Sequence, residues 1–390
     1  MKDIVYLDNN ATTRVAPEVV DEMLPFLREQ YGNPSSMYGF ARQAGMKVKE
    51  ARSRVADLLG AFPEEIVFTS CGTESDSTAV WAALKSNPDK KHIVTTRVEH
   101  SAIKNLGEYL ARNGYRTTFV PVDEKGRLDL DYLYKHLTHD TALVSVMWAN
   151  NETGVIFPVE EIAREVTSRG IAFHTDGVQA VGKIPIDMKN STIDMLSLSG
   201  HKLHGPKGVG ALYVRKGTKF SPFLIGGHQE SGRRGGTENV ASIVGLGKAS
   251  ELAGVHLEEE NTRVKALRDR LEAGLLERIP NCMVNGDRDH RLPNTTNISF
   301  EYVEGEAILL MLDELGICAS SGSACTSGSL EPSHVMRAMG VPFTAAHGSI
   351  RLSLSIYNTT EEVDFVLEEL PPIITRLREM SPYWVKARAC

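Results

Sequence analysis

Short runs of apolar residues alternate with longer amphipathic segments through the first two-thirds of the chain. In one such segment, residues 42–59, the apolar side chains of Val48, Ala51 and Val55 recur at spacings of three and four residues, which predicts a helix. Seven apolar runs have the length of buried strands: 64–70, 91–96, 116–122, 142–150, 170–176, 194–200 and 208–214. Strands that alternate with helices predict an α/β domain whose mostly parallel sheet is covered on both faces.

The last third of the chain has a different pattern. A helical stretch dense in Glu, Lys and Arg covers roughly 238–278. It is followed by a mixture of predicted strands and helices at 295–302, 304–315, 349–355 and 360–380. This order predicts a second, smaller α+β domain that begins near residue 257.

Composition and charge narrow the possible functions. The formal net charge is −7 and no basic run is interleaved with aromatic residues, so no nucleic-acid partner is expected. No apolar stretch approaches the roughly 20 residues that a membrane helix needs, and the first residues contain no apolar signal core. We therefore expect a cytoplasmic protein without a membrane partner. The five cysteines form neither CxxC pairs nor zinc spacings, which predicts free thiols and no metal site.

Several polar residues follow directly after predicted strands, which is where parallel sheets bind ligands. Gly72 and Thr73 lie between a strand and a helix, where free backbone N–H groups can bind phosphate. Ordinary helix capping explains the same residues. His100 and Asn151 follow two further strands, although a structural histidine and an asparagine turn explain that pattern too.

An acidic residue closes the strand at 170–176. A carboxylate at the position of Asp176 is costly unless it has a cationic or hydrogen-bonded partner, and Gln179 follows shortly after it. A buried carboxylate that keeps a heterocyclic nitrogen protonated fits this pattern. A magnesium ligand or a helix cap is the alternative.

A lysine lies in the bend after the strand at 194–200. A partly desolvated lysine at the position of Lys202 has a lowered pKa and can form a Schiff base, with Ser199 and His201 beside it. Lys207 competes for this role on sequence grounds. His201 and His204 resemble a metal pair, but no acidic or thiol ligand with suitable spacing accompanies them.

Two residues of the last third have unusual surroundings. Cys325 lies among small, polar residues rather than apolar ones, which predicts an exposed thiol; a loop without function is the alternative. The thiol needs a nearby cation or base to form a thiolate at neutral pH, and His100 is a candidate. Arg351 interrupts an alternating strand, and its guanidinium suits a substrate carboxylate.

Together these segments resemble the pyridoxal-phosphate-dependent cysteine desulfurases, a group of class V aminotransferase-like proteins. The similarity covers nearly the whole chain. Its motifs include YLDNNATT (6–13), GNPSS (32–36), TSCGTES (69–75), NNETG (150–154), SLSGHKLHGPKG (197–208), RRGGTEN (233–239) and SSGSACTSGSLEPSHV (320–335). Within the family the sequences of these motifs are most similar to those of the NifS type, which supplies sulfur for nitrogenase iron–sulfur clusters.

The resemblance implies a fold-type I architecture with two domains. Residues 13–257 would form a large domain with a mostly parallel seven-stranded sheet that binds pyridoxal 5′-phosphate. Residues 1–12 and 258–390 would form a smaller α+β domain that carries the Cys325 loop.

The resemblance also implies a role for each candidate residue around the cofactor. Lys202 would bind pyridoxal phosphate covalently, His100 would stack on its ring, and Asp176 would pair with its pyridinium nitrogen. Gln179 would bond its phenolic oxygen. The phosphate would be held by Gly72, Thr73, Ser199 and His201. Thr237 would reach the phosphate of the other subunit, which implies a homodimer.

For the reaction, the resemblance implies that L-cysteine is converted to L-alanine. Asn151 and Arg351 would bind the substrate, and Cys325 would accept its sulfur as a persulfide. The implied partner is a NifU-like iron–sulfur scaffold protein, with which Cys325 could transiently share a cluster.

Three positions depart from the common family pattern: Tyr38 replaces a frequent histidine, Gly177 a frequent alanine and Ile356 a frequent arginine. None of them is a residue with an implied role. A class V aminotransferase and a selenocysteine lyase are alternative enzymes, and a non-catalytic sulfur carrier is an alternative of another class. Cys325 argues against a transaminase, and the combination of Lys202, Asp176 and His100 argues against a carrier.

Overall fold

The computed structural model describes residues 4–321 and 331–387. Within these ranges the strands are β1 (Val5–Tyr6), β2 (Ile66–Thr69), β3 (His92–Thr96), β4 (Arg116–Val120), β5 (Thr141–Ser145), β6 (Ala172–Asp176), β7 (Met195–Ser199), β8 (Gly210–Val214), β9 (Cys282–Val284), β10 (Thr295–Phe300), β11 (Ile317–Cys318), β12 (Ser320–Ser321) and β13 (Ser349–Ser353).

The helices of the same ranges are α1 (Pro17–Arg28), α2 (Gly39–Leu59), α3 (Gly72–Ser86), α4 (Ser101–Arg112), α5 (Leu130–Lys135), α6 (Val159–Ser168), α7 (Val240–Val255), α8 (Leu257–Glu259), α9 (Lys265–Arg278), α10 (Gly305–Glu314), α11 (His334–Ala338), α12 (Phe343–Ala346), α13 (Thr360–Met380) and α14 (Pro382–Ala387). A π-helical turn, Glu260–Val264, joins α8 to α9. None of the helices in the described part of the chain is long and apolar enough to cross a membrane.

The seven apolar runs predicted as strands all contribute to one sheet. Among the described residues its strand order is β2-β8-β7-β6-β5-β3-β4. Neighbouring strands are parallel except at β8, which runs antiparallel to both β2 and β7. Every residue of β3, β5, β7 and β8 is buried, as expected for a sheet covered on both faces. The predicted fold class, with its mostly parallel seven-stranded sheet, is confirmed.

The predicted strand at 142–150 is longer than the observed one. β5 ends at Ser145, but the apolar run continues because Val146, Met147 and Trp148 pack into the core of the sheet domain. The chain then turns at Asn150, whose side-chain oxygen accepts the backbone N–H groups of the next residues, Glu152 and Thr153, at 2.9 Å.

The helix predicted at 42–59 is α2, which buries the face that contains Val48, Ala51 and Val55. It ends at Gly60, whose φ of 59° is the left-handed conformation in which a glycine commonly terminates a helix. α2 packs against α7 so closely that a Cβ on Gly247 would lie 2.5 Å from the Cα of Ala51. The close approach requires glycine at this crossing.

The last third of the chain builds a second core around an antiparallel sheet of order β12-β13-β10-β9. α9 and α13 pack against each other, and α9 also covers β10. β1 pairs in parallel with β11, and this brings Val5 and Leu7 into the second core. Residues of α11 and α12, in contrast, pack on the core of the seven-stranded sheet. The domain boundaries at 12/13 and 257/258 stay a prediction.

Candidate active site

A cavity of about 370 Å³ lies at the carboxyl ends of the parallel strands, between the two cores. Its lining residues are Asp8, Asn10, Ala11, Cys71, Gly72, Thr73, Asp76, His100, Met147, Asn151, Glu152, Asp176, Val178, Gln179, Ser199, His201, Lys202, Ser320, Ser321 and Arg351.

The cavity brings together most of the residues singled out from the sequence: Gly72, Thr73, His100, Asn151, Asp176, Gln179, Ser199, His201, Lys202 and Arg351. Thr237 is exposed between β8 and α7 and does not line the cavity of its own chain. Cys325 lies within 322–330, outside the described residues.

Asp176 ends β6 and is 5% exposed. One of its oxygens accepts the backbone N–H of Val178 at 2.9 Å. Burial raises the pKa of Asp176 above its ordinary value, while the nearby His100 and Lys202 act in the opposite direction. A cationic group bound in the cavity would favour the ionised carboxylate further.

His100 is the N-cap of α4, and its Nδ1 accepts the backbone N–H of Ala102 at 3.2 Å. Burial lowers the pKa of His100, and Lys202 lowers it further, although Asp176 opposes both effects. The ring is therefore neutral at pH 7. Because Nδ1 accepts a hydrogen bond, the proton of the neutral ring is on Nε2.

Lys202 lies in a short 3₁₀ turn directly after β7. Its Nζ donates to the carbonyl oxygens of Asn10 and Ala11, the second at 2.7 Å. The side chain of Gln179 donates to the same Asn10 carbonyl at 3.0 Å. The competing lysine, Lys207, does not line the cavity, so the structure favours Lys202.

The two histidines after β7 have separate surroundings. Nδ1 of His201 is 3.1 Å from the hydroxyl of Thr12, and burial lowers the pKa of His201 to about 4. His204 does not line the cavity, and its Nδ1 is 3.1 Å from the carbonyl oxygen of Arg14. The two rings therefore do not converge as ligands of one metal ion.

One end of the cavity is suited to an anion. α3 begins at Gly72, and its N-cap residue Cys71 makes no side-chain capping bond, so the N–H groups of the first turn are available. The buried hydroxyl of Ser199 has no hydrogen-bond partner in the described part of the chain. A Cβ on Gly72 would lie 2.9 Å from a methyl group of Val178. The small residue therefore keeps this end open.

Arg351 extends from β13 toward the cavity and is 9% exposed. One amino group of its guanidinium donates to the carbonyl oxygen of Asn151 at 2.9 Å, and the other pairs with Asp8 at 2.7 Å. A second carboxyl, that of Glu152, accepts the hydroxyl of Ser333 at 2.6 Å. Burial raises the pKa of Glu152 to about 7, although Ser333 and Arg351 lower it.

The lining residues that were not singled out from the sequence include Asp8, Asn10, Asp76 and Glu152. A signal for Asp76 was present, because it lies four residues after Gly72 and a helix places both on one face. Asp8 and Asn10 entered the sequence analysis only as parts of the motif YLDNNATT (6–13). Their partners Arg351 and Ser353 lie more than 340 residues away in the sequence.

The donor set fits the cofactor that the sequence resemblance implies. The buried carboxyl of Asp176 suits the protonated nitrogen of a pyridine ring. The unpartnered hydroxyl of Ser199 and the N-terminus of α3 suit a phosphate, and the amino group of Lys202 suits an aldehyde. All three groups line the same cavity.

Comparisons with known proteins give a consistent result. The model of the aminotransferase class-V family matches residues 5–366. The cysteine desulfurase NifS of Azotobacter vinelandii is 64% identical over 381 residues, which are 97% of this chain and 95% of that protein. A cysteine desulfurase of Gluconacetobacter diazotrophicus is 59% identical over 387 residues, 99% of this chain and 97% of that protein.

Solved structures agree with the sequence matches. A NifS-like protein superposes with a TM-score of 0.90 at 41% identity, covering 96% of this chain and all of the other. SspA, solved in complex with cysteine, superposes with a TM-score of 0.81 at 35% identity and covers 92% of this chain. The chain thus belongs to the aminotransferase class-V family, among its pyridoxal-phosphate-dependent cysteine desulfurases of the NifS type.

Proposed function

We propose that this protein converts L-cysteine to L-alanine and transfers the sulfur to Cys325 as a persulfide. The observation that carries the proposal is that Lys202, Asp176 and Arg351 line one cavity. These side chains supply an amine for a Schiff base, an acid for a pyridine nitrogen and a guanidinium for a carboxylate. The cysteine desulfurase names of relatives up to 64% identical add support.

In this proposal one group of lining residues binds the cofactor and a second group binds the substrate. Bound pyridoxal phosphate supplies an electron sink conjugated to the Cα of the substrate. Asp176 would keep the ring nitrogen protonated, Gln179 would bond the phenolic oxygen and His100 would lie against the ring. The phosphate would be held by Gly72, Thr73, Ser199 and His201.

The substrate is oriented and deprotonated by residues on both sides of the cavity. Arg351 binds its carboxylate, with Asn151 beside it. Lys202 removes the proton from Cα and returns protons later in the reaction. The neutral His100 has its ring proton on Nε2, because Nδ1 accepts the N–H of Ala102, so it would act as a proton donor to the substrate sulfur.

The sulfur transfer needs no external oxidant. The thiolate of Cys325 attacks the substrate sulfur, an S–S bond forms as the C–S bond breaks, and the carbon accepts a proton to become the methyl group of alanine. Both flanks of the segment that contains Cys325 contact the cavity region. Ser321 lines it, Ser333 donates to Glu152, and His334 is 2.9 Å from the carbonyl oxygen of Glu99.

The test is an assay of alanine and sulfide from L-cysteine in the presence of pyridoxal phosphate and a thiol reductant. Lys202→Ala should lose the yellow colour of the bound cofactor and all alanine release. Cys325→Ala should keep the colour but lose sulfide release. Cys282→Ala is the matched control, because this half-buried thiol donates to the carbonyl of Ile279 in the second core. Normal turnover by Cys325→Ala would contradict the proposal.

We further propose a homodimer in which Thr237 binds the cofactor phosphate of the other subunit. Thr237 is exposed and does not line its own cavity. Exposed apolar side chains elsewhere in the first domain, including Tyr31, Met37 and Phe40, offer surface for a second copy. Mixing Lys202→Ala and Thr237→Ala chains should restore activity above that of either variant, because one site of the mixed dimer has both residues. No restoration would contradict shared sites.

We also propose that the persulfide supplies iron–sulfur cluster assembly on a NifU-like scaffold, in support of nitrogenase. The similarity to the NifS type supports this assignment. The chemistry requires a reduced Cys325, so we assign the protein to the cytoplasm. Sulfur from labelled L-cysteine should appear in clusters on the purified scaffold when wild-type protein is added. It should not appear with Cys325→Ala.

A further inference from the structure

The guanidinium of Arg351 is already engaged by the chain itself. Its two amino groups bond the carbonyl oxygen of Asn151 and the carboxylate of Asp8. Its Nε is buried and has no partner in the described part of the chain. The contact that a substrate carboxylate would make with an amino group of Arg351 is therefore made by a side-chain carboxylate of the protein.

The backbone on both sides of Asp8 is bound to Ser353, the last residue of β13. The backbone of Leu7 accepts the N–H of Ser353 at 2.7 Å, and Asn9 donates to the carbonyl of Ser353 at 3.2 Å. The hydroxyl of Ser353 also accepts the backbone N–H of Asn10 at 2.9 Å. The backbone at Asp8 thus cannot move away from β13 without breaking several bonds of the segment.

The carboxylate of Asp8 stabilises the buried charge of Arg351. Arg351 is 9% exposed, and a buried guanidinium without a partner would be strongly unfavourable. A substrate carboxylate that binds Arg351 adds a second negative charge beside Asp8, which is itself 19% exposed and lines the same cavity. The charge of Asp8 therefore opposes tight binding of a carboxylate at Arg351.

We propose that Asp8 acts as an internal competitor for the carboxylate-binding contact of Arg351 and thereby limits the affinity for both L-cysteine and L-alanine. The inference rests on the proposed role of Arg351 in binding the substrate carboxylate. Substrate and product share this carboxylate, so the competition weakens both complexes equally. Uniform weakening raises KM without slowing the chemical step, and it speeds release of alanine.

The test is binding of L-alanine to the holoenzyme by isothermal titration calorimetry, together with KM and kcat for L-cysteine. In Asp8→Asn the Kd for L-alanine and the KM for L-cysteine should both fall about tenfold, the scale of one unit charge a few ångströms away under solvent screening. kcat should not rise. Binding of L-alaninamide, which has no carboxylate, should not tighten.

Two variants keep the result interpretable. Ser353→Ala loosens the same segment without changing its charge, so it should not reproduce the tighter binding. Arg351→Ala should weaken L-alanine binding whether or not Asp8→Asn is also present. Weaker L-alanine binding by Asp8→Asn would overturn the inference, because Asp8 would then orient Arg351 rather than compete with the ligand.

Failure of the proposed function gives a different result from failure of this inference. If Arg351→Ala binds L-alanine as tightly as the wild type, the proposed role of Arg351 is wrong. If the wild type releases no alanine from L-cysteine, the proposed reaction is wrong, while the L-alanine titrations still report on Asp8.

Discussion

Oδ1 of Asp76 lies 3.6 Å from Nε2 of His174, and both side chains are almost fully buried. The histidine ring contacts two hydroxyl groups at 2.9 Å, those of Ser145 and Ser197, and burial lowers its pKa to about 3. It is therefore neutral and provides no positive charge. Asp76 lines the cavity together with Asp176, and the two buried carboxyls are close enough for the charge of Asp176 to raise the pKa of Asp76.

The pair should have one proton and one negative charge at neutral pH. Burial raises the pKa of Asp76 well above its ordinary value, and the neighbouring Asp176, Glu99 and Cys71 raise it further, whereas a bond from Ser197 lowers it. Asp176 has the cationic Lys202 nearby and accepts the backbone N–H of Val178, and both favour its ionised form. Asp76 is thus the protonated member, and Asp176 is the ionised one.

We expect a neutral amide to have little effect on activity at position 76 and a large effect at position 176. Asp76→Asn replaces a neutral acid by a neutral amide, so kcat/KM for L-cysteine should change by no more than about threefold. Asp176→Asn removes the charge that stabilises the pyridinium, and it should lose about 100-fold or more. The measurement is steady-state alanine release together with cofactor absorbance. Equal losses in the two variants would show that Asp76 is ionised as well.

The carboxyl of Glu99 should make folding stability depend on pH. Burial raises its pKa to about 8 from an ordinary value of 4.5, against the bonds from Met147 and Thr96. Because the folded chain keeps the proton that the unfolded chain releases, stability falls as pH rises from 4.5 to 8. The contribution is on the order of 3–4 kcal/mol.

Glu99→Gln imitates the protonated acid, so it should lose most of this pH dependence. We expect the variant to gain stability relative to the wild type between about pH 5.5 and about pH 8.5, on the order of 3 kcal/mol from urea unfolding. The exposed Glu124→Gln is the control and should follow the wild type. A parallel decline of the variant and the wild type would mean that Glu99 is ionised in the folded protein.

A buried ion pair joins the turn after β6 to the π-helical turn. Nζ of Lys183 is 2.5 Å from Glu260, and the two side chains are 9% and 4% exposed. Lys183→Ala leaves a buried carboxylate without its partner, which should cost about 3–5 kcal/mol of unfolding free energy. The double variant Lys183→Met/Glu260→Leu should recover most of that loss, as measured by urea unfolding. Additive losses in the double variant would show that the pair is not coupled.

Much of the fold could be predicted from hydrophobicity alone. Strands such as β5 and β7 are buried at every position, so they appear in the sequence as uninterrupted apolar runs. The position of β8 between β2 and β7, antiparallel to both, could not be predicted, because strand pairing depends on contacts between distant residues. The end of β5 at Ser145 could not be predicted either, because the buried residues after it are apolar too and only strand pairing shows where the strand ends.

Some residues of the site could also be predicted from the sequence, whereas others could not. His100, Asp176 and Lys202 could be found because each lies at or shortly after the carboxyl end of a strand, where the cavity is. Asp8 could not be found in this way, because its partner Arg351 is 343 residues away in the sequence and lies on β13. Local patterns reveal the residues that a strand presents, whereas charge pairs between segments require the folded structure.

The close contact between Gly72 and Val178 leads to a last prediction. A Cβ on Gly72 would lie 2.9 Å from Cγ2 of Val178 and 3.6 Å from Cβ of Ser199, at the anion-binding end of the cavity. Gly72→Ala should therefore displace Val178 or the first turn of α3 and weaken cofactor binding about tenfold or more, a loss of roughly 1.4 kcal/mol. The measurement is the Kd for pyridoxal phosphate from absorbance titration of the apoprotein.

The clash itself can be tested with a second substitution. Val178→Ala removes the methyl group that the new Cβ would meet, so Gly72→Ala/Val178→Ala should bind the cofactor more tightly than Gly72→Ala alone. Recovery in this double-mutant cycle identifies the steric contact as the cause. If the double variant binds as weakly as Gly72→Ala, the loss comes instead from the backbone at the start of α3, where N–H groups would have to remain free for the phosphate.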